Sequence, residues 1–322
     1  MPVTTGLSPA ERSYLYTSLS QSIRPDFRSL TTFRPQTFQT DILPTANGSA
    51  RVRWGGAVGA AVAGGVSGAG VGEVIVGVKA EIGPSQLLDD GSGRKGGLVN
   101  VNVEITPNAD PNTTRDDDPL PTLLSTFLSQ TLIPAAIPST ALTLGPERAW
   151  HIYIDCAILS TSGHPLPALS LAVRLAMMTT RLPRVTLTSD IDREAAQVAS
   201  TGGTNIREAV IDLDIDDDWD AATPIPGVEN LGVVSIANVV GRAVFFDAAP
   251  GEEEVCDARV AVAVGADGDV VGVRMFGGAK GVGPEMVKEA VKAAQLVGVE
   301  VVKGSSQGLE SSHDTGGFFA IM

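Results

Sequence analysis

The sequence predicts an α+β fold made of two similar halves, each a β-sheet with a helix packed on it. Apolar runs typical of strands precede a helical segment with an apolar stripe once in the first half and once again in the second. With 322 residues, 43% of them hydrophobic, and 36 glycines, the chain can bury a large core and is rich in turns. That length suits one large domain or two moderate ones.

Composition excludes several classes of protein. The 37 acidic and 23 basic residues give a net charge of −14, which argues against a protein that coats nucleic acid with its whole surface. No apolar stretch is long enough to span a bilayer, and the first residues lack the pattern of a secretory signal. Cys156 and Cys256 are far apart without a nearby histidine pair, so we expect reduced thiols, no zinc site and no cofactor.

Residues 1–35 are predicted to form an N-terminal helix and arm. The run Ser8-Pro9-Ala10-Glu11 has the pattern of a capping box with proline in the first helical turn. Pro25 stops the helix, because proline cannot continue the hydrogen-bond ladder. The first β-rich half then covers residues 36–189.

A pair of strands organises this first half. Asn47-Gly48 favours a turn, after which Arg51 and Arg53 alternate with apolar residues, and the largely apolar run 74–81 supplies the partner strand. Together with Lys79, the two arginines could form a cationic strip, although a solvated sheet face has the same pattern.

A tract of Gly, Ala and Val at residues 55–72 separates the two strands. Such a composition buries little apolar surface, so we interpret the tract as a flexible hairpin insertion. It lacks the glycine spacing and the Gly-Lys-Ser/Thr ending of a phosphate loop, so we do not expect nucleotide binding.

Apolar periodicity predicts the remaining elements. In the first half, strands are expected at 98–105, 149–159 and 185–188, and helices at 120–132 and 168–180. In the second half, residues 190–300, we expect strands at 231–246 with a break at Gly241, a hairpin at 258–275 about Asp267-Gly268, and a helix from Pro284 to about 297. A polar stretch at 190–207 marks the boundary between the halves, and residues 301–322 form a C-terminal tail.

An aspartate-rich run precedes the strands of the second half. Its members are Asp212, Asp214, Asp216, Asp217, Asp218 and Asp220. Alternating oxygens are compatible with calcium, but the central glycine and terminal glutamate of an EF-hand are absent, which favours a solvated strand end.

Five short segments occur in an order that is typical of one family. They are Ile23-Arg24-Pro25-Asp26-x-Arg28, Arg34-Pro35, Leu43-Pro44-x-Ala46-Asn47-Gly48-Ser49-Ala50-Arg51-Val52-Arg53, Val76-Gly77-Val78-Lys79-Ala80-Glu81 and Ala149-Trp150-His151-Ile152-Tyr153-Ile154-Asp155. Through them, the chain from about Ser8 to Gly298 resembles the RNase PH-like subunits of the RNA exosome ring. The resemblance implies the RNase PH-like (ribosomal protein S5 domain 2-like) fold with two pseudo-repeated halves. Phe27 departs from the family, which usually has glycine at this place.

The resemblance also implies a function. Such subunits pair with a second RNase PH-like protein, and three pairs close a six-membered ring with caps of S1 and KH type on one face. Single-stranded RNA passes through the central pore, which suits a narrow channel with a few arginines along it. The expected roles are rRNA maturation and mRNA turnover, in the nucleus, including the nucleolus, and in the cytoplasm. The predicted RNA-binding residues are Arg51, Arg53 and Arg28.

Active members of this family hold inorganic phosphate with a Gly-Gly-Thr-Arg-Thr-Ala turn at a helix start, where backbone donors, helix dipole and arginine act together. The matching turn here is Gly163-His164-Pro165-Leu166-Pro167-Ala168, with Leu166 in the arginine's place and two prolines that lack an N–H. His164 could act as a compensating cation, although a turn histidine is more often merely exposed. We therefore predict weak phosphate binding.

Active members also carry carboxylates after a late strand. The acidic residues at this place are Asp247, Glu252, Glu253, Glu254 and Asp257. An isolated acidic turn is usually solvated, so we interpret this group as vestigial and predict no catalytic residue and no metal ligand.

Three functions remain open. A noncatalytic ring subunit is favoured, because the phosphate-binding arginine is missing. An active phosphate-dependent 3'-to-5' exoribonuclease would release nucleoside diphosphates. An unrelated α+β binding module would explain the composition but not the ordered segments.

Overall fold

The computed structural model describes residues 6–55, 70–87, 94–109, 119–145, 147–189, 211–278, 280–315 and 319–321. Its helices are α1 (Pro9–Ser20), α2 (Leu120–Phe127), α3 (Ile133–Ala136), α4 (Leu166–Thr179), α5 (Pro250–Glu253) and α6 (Pro284–Thr315). Its strands are β1 (Gln36–Thr40), β2 (Gly48–Trp54), β3 (Gly72–Pro84), β4 (Gln86–Leu87), β5 (Lys95–Gly96), β6 (Leu98–Ile105), β7 (Arg148–Ser160), β8 (Arg181–Leu182), β9 (Val185–Ser189), β10 (Ile211–Ile215), β11 (Thr223–Pro224), β12 (Val233–Val240), β13 (Ala243–Phe245), β14 (Ala258–Val264), β15 (Val270–Phe276) and β16 (Phe319–Ile321).

The first half is built on a large sheet with the strand order β16-β1-β2-β3-β7-β6. Its neighbouring strands are antiparallel except β6 and β7, which run parallel. The predicted pairing of β2 with β3 is confirmed. Ala50 and Val52 are fully buried on the core face, while Arg51 and Arg53 lie on the opposite, partly exposed face, as alternation along a strand requires.

The second half is built on a small antiparallel sheet with the order β13-β12-β14-β15. Both predicted turns are present, since Gly241 and Gly268 have φ values of +60° and +88°, which other residues adopt only with strain. All of β12 is buried. Ile236 belongs to the apolar cluster that contains α4, and Val239 belongs to the cluster that contains α6, so both faces of this strand are covered.

Helix α4 lies between the two sheets. It contacts β2 and β3 on one side and β12 on the other. Nearly all of its residues from Leu166 to Met177 are buried, which is the pattern of a helix enclosed on every side rather than of one with a single apolar face. The order of layers is therefore large sheet, α4, small sheet and α6.

Helix α6 continues well past its predicted end near residue 297. Gly298 lies inside the helix and in close contact with β14, because a Cβ at this position would come within 2.8 Å of Val264. Val302 and Leu309 then continue the buried face. Residues 301–315 of the predicted tail are thus helical.

The N-terminal arm packs on the second half, although it precedes the first half in sequence. The predicted capping box is confirmed, since Ser8 Oγ accepts a hydrogen bond from the Glu11 N–H and the Glu11 carboxylate accepts one from the Ser8 N–H. Leu19 of α1 is buried in the same apolar cluster as Val240. The chain then turns at Phe27, whose φ is +60° and whose side chain is 91% exposed.

Two predictions concern residues outside the described ranges, namely the Gly- and Ala-rich tract at 56–69 and the boundary stretch at 190–207. The helix predicted at 120–132 consists of α2 and a π-helical segment, Leu128–Leu132, and continues into α3. The aspartates from Asp214 to Asp220 are exposed, as predicted. None of the described helices is long and apolar enough to cross a bilayer.

Candidate functional site

The turn before α4 is where the resemblance implies phosphate binding. Gly163 has a φ of +93°, Pro165 occupies the N-cap position, and Leu166 is the first helical residue. The Leu166 side chain is fully buried and belongs to the main apolar core. The position that the resemblance assigns to arginine therefore serves core packing.

A carboxylate from the second half closes this turn. One oxygen of Glu253 accepts a hydrogen bond from the backbone N–H of His164 at 2.6 Å, and the other oxygen pairs with Arg259 Nη1 at 3.3 Å. Burial raises the pKa of Glu253, while Arg259 and the His164 N–H act in the opposite direction. The start of α4 thus already holds an anion that belongs to the chain itself.

His164 is neither exposed nor cationic, so both sequence interpretations of it are wrong. Its ring packs against Phe276 with a centroid separation of 4.8 Å, and its Nδ1 accepts the Leu166 N–H at 3.3 Å. Burial and the nearby Arg259 lower the pKa of His164 to about 3. The imidazole is therefore neutral near pH 7 and cannot compensate for a missing arginine.

A small cavity remains beside the turn. Its volume is about 20 Å³, and its polar lining includes Arg34, Asn238, Asp247 and Glu253. This volume suits a single water molecule, whereas phosphate with its four oxygens needs more room. The site in its present form has no space for the anion.

Three arginines of the N-terminal arm and two carboxylates after β13 form what we call the arginine–carboxylate cluster. Its members are Arg24, Arg28, Arg34, Asp247 and Glu252. Arg24 is fully buried and binds the Glu252 carboxylate through two hydrogen bonds, from Nε at 3.0 Å and from Nη2 at 2.6 Å. Its Nη1 donates to the Phe246 carbonyl at 2.9 Å.

Asp247 is the centre of this cluster. Arg34 binds it from Nε at 2.9 Å and from Nη2 at 2.6 Å, and the Arg34 backbone N–H donates to it as well. The same guanidinium reaches Ser162 in the turn before α4, donating to its hydroxyl at 2.8 Å and its carbonyl at 2.7 Å. Burial alone would raise the pKa of Asp247, but hydrogen bonds and charge from Arg34, with the charge of Arg28, outweigh it and lower the pKa.

Arg28 was predicted to bind RNA, and the structure places it in the cluster. Its Nη1 pairs with Asp247 at 2.9 Å and its Nε with Asp26 at 2.6 Å, and its side chain is 15% exposed. RNA contact by Arg28 stays a prediction. Such a contact would have to be made by a guanidinium that already holds two carboxylates.

Four of the five acidic residues of this turn are largely shielded from solvent, so the interpretation of a solvated turn holds for Glu254 alone among them. Besides Asp247, Glu252 and Glu253, the remaining two acids also have partners, because Glu254 pairs with Arg12 at 3.3 Å and Asp257 accepts from Tyr16 at 3.1 Å. Arg12 and Tyr16 lie more than 200 positions away from these two acids in sequence, so local composition could not show the contacts. The sequence feature that could have indicated these ion pairs is the presence of an arginine-rich arm and an acid-rich turn in the same chain.

Arg51 and Arg53, the other predicted RNA-binding residues, share one carboxylate. Glu73 of β3 lies directly across from Arg53 in the sheet and pairs with both arginines. The arginine side chains remain 28% and 42% exposed, respectively. The structure thus brings these two cations together on one face of the large sheet and neutralises half of their charge.

This outer sheet face is not uniformly cationic. Lys79, the third member of the proposed strip, pairs with Glu81 at 3.0 Å. A groove of about 530 Å³ on the same face is lined by Lys79 and also by Glu104 and Asp155. The face carries both signs of charge, so a continuous phosphate track along it is not formed by this chain alone.

Comparison with known proteins identifies the fold. The profile of the 3' exoribonuclease family, domain 1, matches residues 32–183. A solved structure of an Archaeoglobus fulgidus exosome with RNA bound to the active site superposes with a TM-score of 0.64 and 21% identity, over 91% of this chain and 97% of that chain. An archaeal exosome core gives a TM-score of 0.61 at 20% identity, over 92% and 96%. The architecture is the predicted RNase PH-like fold.

Sequence similarity to curated proteins extends over nearly the whole chain. The exosome complex component rrp42 of Schizosaccharomyces pombe is 30% identical over 329 residues, which cover 98% of this chain and 99% of that protein. The exosome complex component RRP42 of Saccharomyces cerevisiae is 28% identical over 254 residues, which cover 78% of each. The chain therefore belongs to the rrp42 family of RNase PH-like exosome components.

Proposed function

We propose that this chain is a noncatalytic subunit of an RNA exosome ring. It helps to form the central channel that threads single-stranded RNA for 3'-to-5' processing and decay, including rRNA maturation and mRNA turnover. The similarity to rrp42 proteins over almost the full length of both chains supports this assignment.

The start of α4 is the observation that supports the noncatalytic role. Phosphorolysis needs a bound phosphate, and a helix start binds one through free N–H groups and a nearby cation. Here the cation is replaced by the buried Leu166, Pro165 and Pro167 lack N–H groups, and the His164 N–H is taken by Glu253. The chain offers inorganic phosphate few of the donors that it needs.

The proposed partners follow from this role. Other RNase PH-like subunits flank the chain in a six-membered ring, and S1- and KH-type caps sit on one face of that ring. Arg51 and Arg53 contact the phosphates of single-stranded RNA without sequence preference. We propose that the complex works in the nucleus, including the nucleolus, and in the cytoplasm.

An active phosphate-dependent exoribonuclease is the second candidate. The carboxylates near the start of α4 favour it, because Asp247, Glu252 and Glu253 stand where the resemblance implies catalytic acids. Each of them, however, is held by an arginine or a backbone N–H. They would have to leave these partners before they could serve a substrate.

The test is a tagged pull-down of the full chain from its own cell, read by mass spectrometry. The eluate is then given single-stranded RNA with and without inorganic phosphate. We expect several other RNase PH-like chains in the eluate and RNA decay that does not depend on phosphate. Recovery of the chain alone or as a homo-oligomer, with release of nucleoside diphosphates only when phosphate is present, would favour the second candidate.

A further inference from the structure

Arg174 carries a buried guanidinium where α4 packs against the C-terminal part of α6. The residue is 2% exposed. Its Nε donates to Ser305 Oγ at 3.3 Å, and its Nη2 donates to Ser306 Oγ at 3.0 Å. Its Nη1 is buried and, among the residues that the structure describes, has no hydrogen-bond partner. One of its donor groups is therefore left without an acceptor.

The charge of Arg174 also lacks a counter-charge within the described part of the chain. A buried cation is normally paired with an anion, as Arg24 and Arg34 are with their carboxylates. Arg174 contacts only two hydroxyl groups, and each of them donates its own proton to the Val302 carbonyl, at 2.8 and 3.1 Å. Burial lowers the pKa of Arg174 to about 10, so the guanidinium is still charged at pH 7.

We propose that Ser306 is a phosphorylation site and that its phosphate is the anionic partner of Arg174. A serine kinase transfers the γ-phosphoryl group of a nucleoside triphosphate to Oγ. The Oγ–P bond forms as the bond between the γ-phosphorus and the nucleoside diphosphate breaks, and the hydroxyl proton passes to the catalytic base of the kinase. This inference does not depend on whether the chain itself is catalytic.

A phosphate on Ser306 matches the donors that Arg174 presents. Phosphoserine is an anion with three acceptor oxygens beyond Oγ. Because Nη2 already contacts Ser306 Oγ, these oxygens extend toward Nη1 of the same planar group, and a guanidinium binds phosphate well through two parallel hydrogen bonds. Ser305 is fully buried, whereas Ser306 is partly exposed, so only Ser306 has room for the added oxygens on its solvent side.

The sequence of α6 gives a kinase a way to reach Ser306. Gly304 and Gly308 lie on either side of it, and glycine destabilises the interior of a helix. The helix ends at Thr315, and helix ends open more easily than helix centres. Local opening presents Ser306 to the kinase, and the phosphate then holds the closed helix against α4.

Two other charges lie near Ser306 on the surface of α6. Lys303 is three residues before it and Glu310 is four residues after it, so both are neighbours of Ser306 along the helix, and both are exposed. Their effects on a phosphate have opposite signs and are weakened by solvent. The buried Arg174 therefore decides whether phosphorylation tightens the contact of α6 with α4.

The first experiment asks whether the modification exists. The full chain is purified with its ring partners from its own cells in the presence of phosphatase inhibitors, and peptides that cover Ser306 are sequenced by tandem mass spectrometry. We expect a phosphate on Ser306. Peptides that cover Ser306 without a phosphate, or with phosphate only on Ser311 or Ser312, would overturn the inference.

The second experiment asks whether Arg174 binds the phosphate. Rings in which phosphoserine is incorporated at position 306 during translation are compared with rings that contain unmodified Ser306. Hydrogen exchange of the backbone amides of residues 299–312, measured by mass spectrometry, reports how often this part of α6 opens. We expect exchange at least tenfold slower with phosphoserine, and no slowing when the ring also carries Arg174→Gln.

The matched control is phosphoserine at the exposed Ser13 of α1, which should leave exchange in α6 unchanged. If Arg174→Gln does not enter the ring, Arg174→Met takes its place, because it also removes the charge and keeps an unbranched side chain. Exchange that is unchanged or faster with phosphoserine at position 306 would overturn the pairing. Slowing that is equally large without the arginine would overturn it as well.

Discussion

Asp247 shows how much one residue can connect. It sits in the left-handed region with a φ of +47°, a conformation that costs free energy for a residue with a Cβ. Its carboxylate nevertheless binds Arg28 and Arg34, and Arg34 in turn reaches Ser162 before α4. A single side chain therefore links the N-terminal arm, the first half and the second half.

Asp247→Asn should lower the free energy of unfolding by about 3 kcal/mol at pH 7, because it leaves buried arginines without their anionic partner. The pKa of Asp247 is lower in the folded protein than its ordinary value of 3.8, so its contribution is present above that pH and is lost as the pH falls below it. Urea denaturation should give a difference from the natural chain that is larger at pH 7 than at pH 3, because protonation removes at most about 1.4 kcal/mol of it for each pH unit below 3.8. The exposed Asp217→Asn serves as control, and an equal difference at both pH values would contradict the assignment.

Helix α4 has two structural tasks. Its first turn borders the candidate site, and its whole length is enclosed between the two sheets. Leu166 belongs to the second task, since its side chain lies in the main core. The loss of arginine at this position is thus tied to packing and is not reversed by exchanging one side chain.

Leu166→Arg should therefore destabilise the protein by about 3 to 5 kcal/mol, as expected for a buried charge without a partner, and should not create phosphorolytic activity. Leu166→Met is the matched control, and a conservative apolar exchange of this kind costs less than about 1.5 kcal/mol. Thermal unfolding measures the loss of stability, and an RNA decay assay with and without phosphate measures phosphorolytic activity. A stable Leu166→Arg protein that degrades RNA with phosphate would refute this account of α4.

Elements whose signal is local could be predicted from the sequence. The strand pair β2 and β3, the break at Gly241 and the turn at Gly268 each follow from residues within one short window. The length of α6 could not be predicted in this way. A glycine usually weakens a helix, but Gly298 lies inside α6 where a side chain would collide with Val264 of another element. At Phe27 the family usually has glycine, and the sequence therefore left the local turn in doubt. The turn forms nevertheless, and the phenylalanine adopts the positive φ that suits glycine.

The candidate site was predictable in part. The identity of the turn at residues 163–168 and the absence of its arginine could be recognised from the sequence. The partners of the acidic residues could not be recognised. Ion pairs such as that of Arg24 with Glu252 join positions 228 apart and depend on the complete fold. Glu73, which partly neutralises Arg51, is only 22 positions away, but the apolar pattern of a strand pair does not show which charged side chains face each other across it.

The proposed passage of RNA has to be reconciled with a net charge of −14 for the whole molecule. The long-range electric field of a negatively charged protein repels RNA, so attraction to RNA must come from a few local cations. Arg51 and Arg53 keep exposed fractions of 28% and 42%, but Glu73 competes with phosphate for both of them. The balance among these three side chains should therefore set how strongly this chain holds RNA.

In the assembled ring, replacing both Arg51 and Arg53 with alanine should weaken binding of single-stranded RNA. The dependence of log affinity on log salt concentration should become shallower by about 0.7 for each RNA phosphate that the ring no longer neutralises. Glu73→Gln should have the opposite effect and tighten binding, because it releases both guanidinium groups. Filter binding or fluorescence anisotropy at several salt concentrations measures both changes.

The matched control is Lys288→Ala, which removes an exposed cation of α6 and should leave the salt dependence unchanged. If the double arginine variant and Glu73→Gln bind RNA like the natural ring, the assignment of RNA contact to this face is incorrect.

The arginine–carboxylate cluster also has a consequence for synthesis on the ribosome. Arg34 and Asp247 are separated by 213 residues, and Arg24 and Glu252 by 228. At about 5 to 20 residues per second, the arginines of the arm wait roughly 10 to 45 s before their carboxylates have been made. During that interval Arg24 and Arg34 lack the carboxylates that they bind in the folded protein, and the nascent chain cannot complete the small sheet on which the arm rests. Contacts this distant in sequence slow folding, so the newborn chain is most exposed to wrong partners before its last third has been translated.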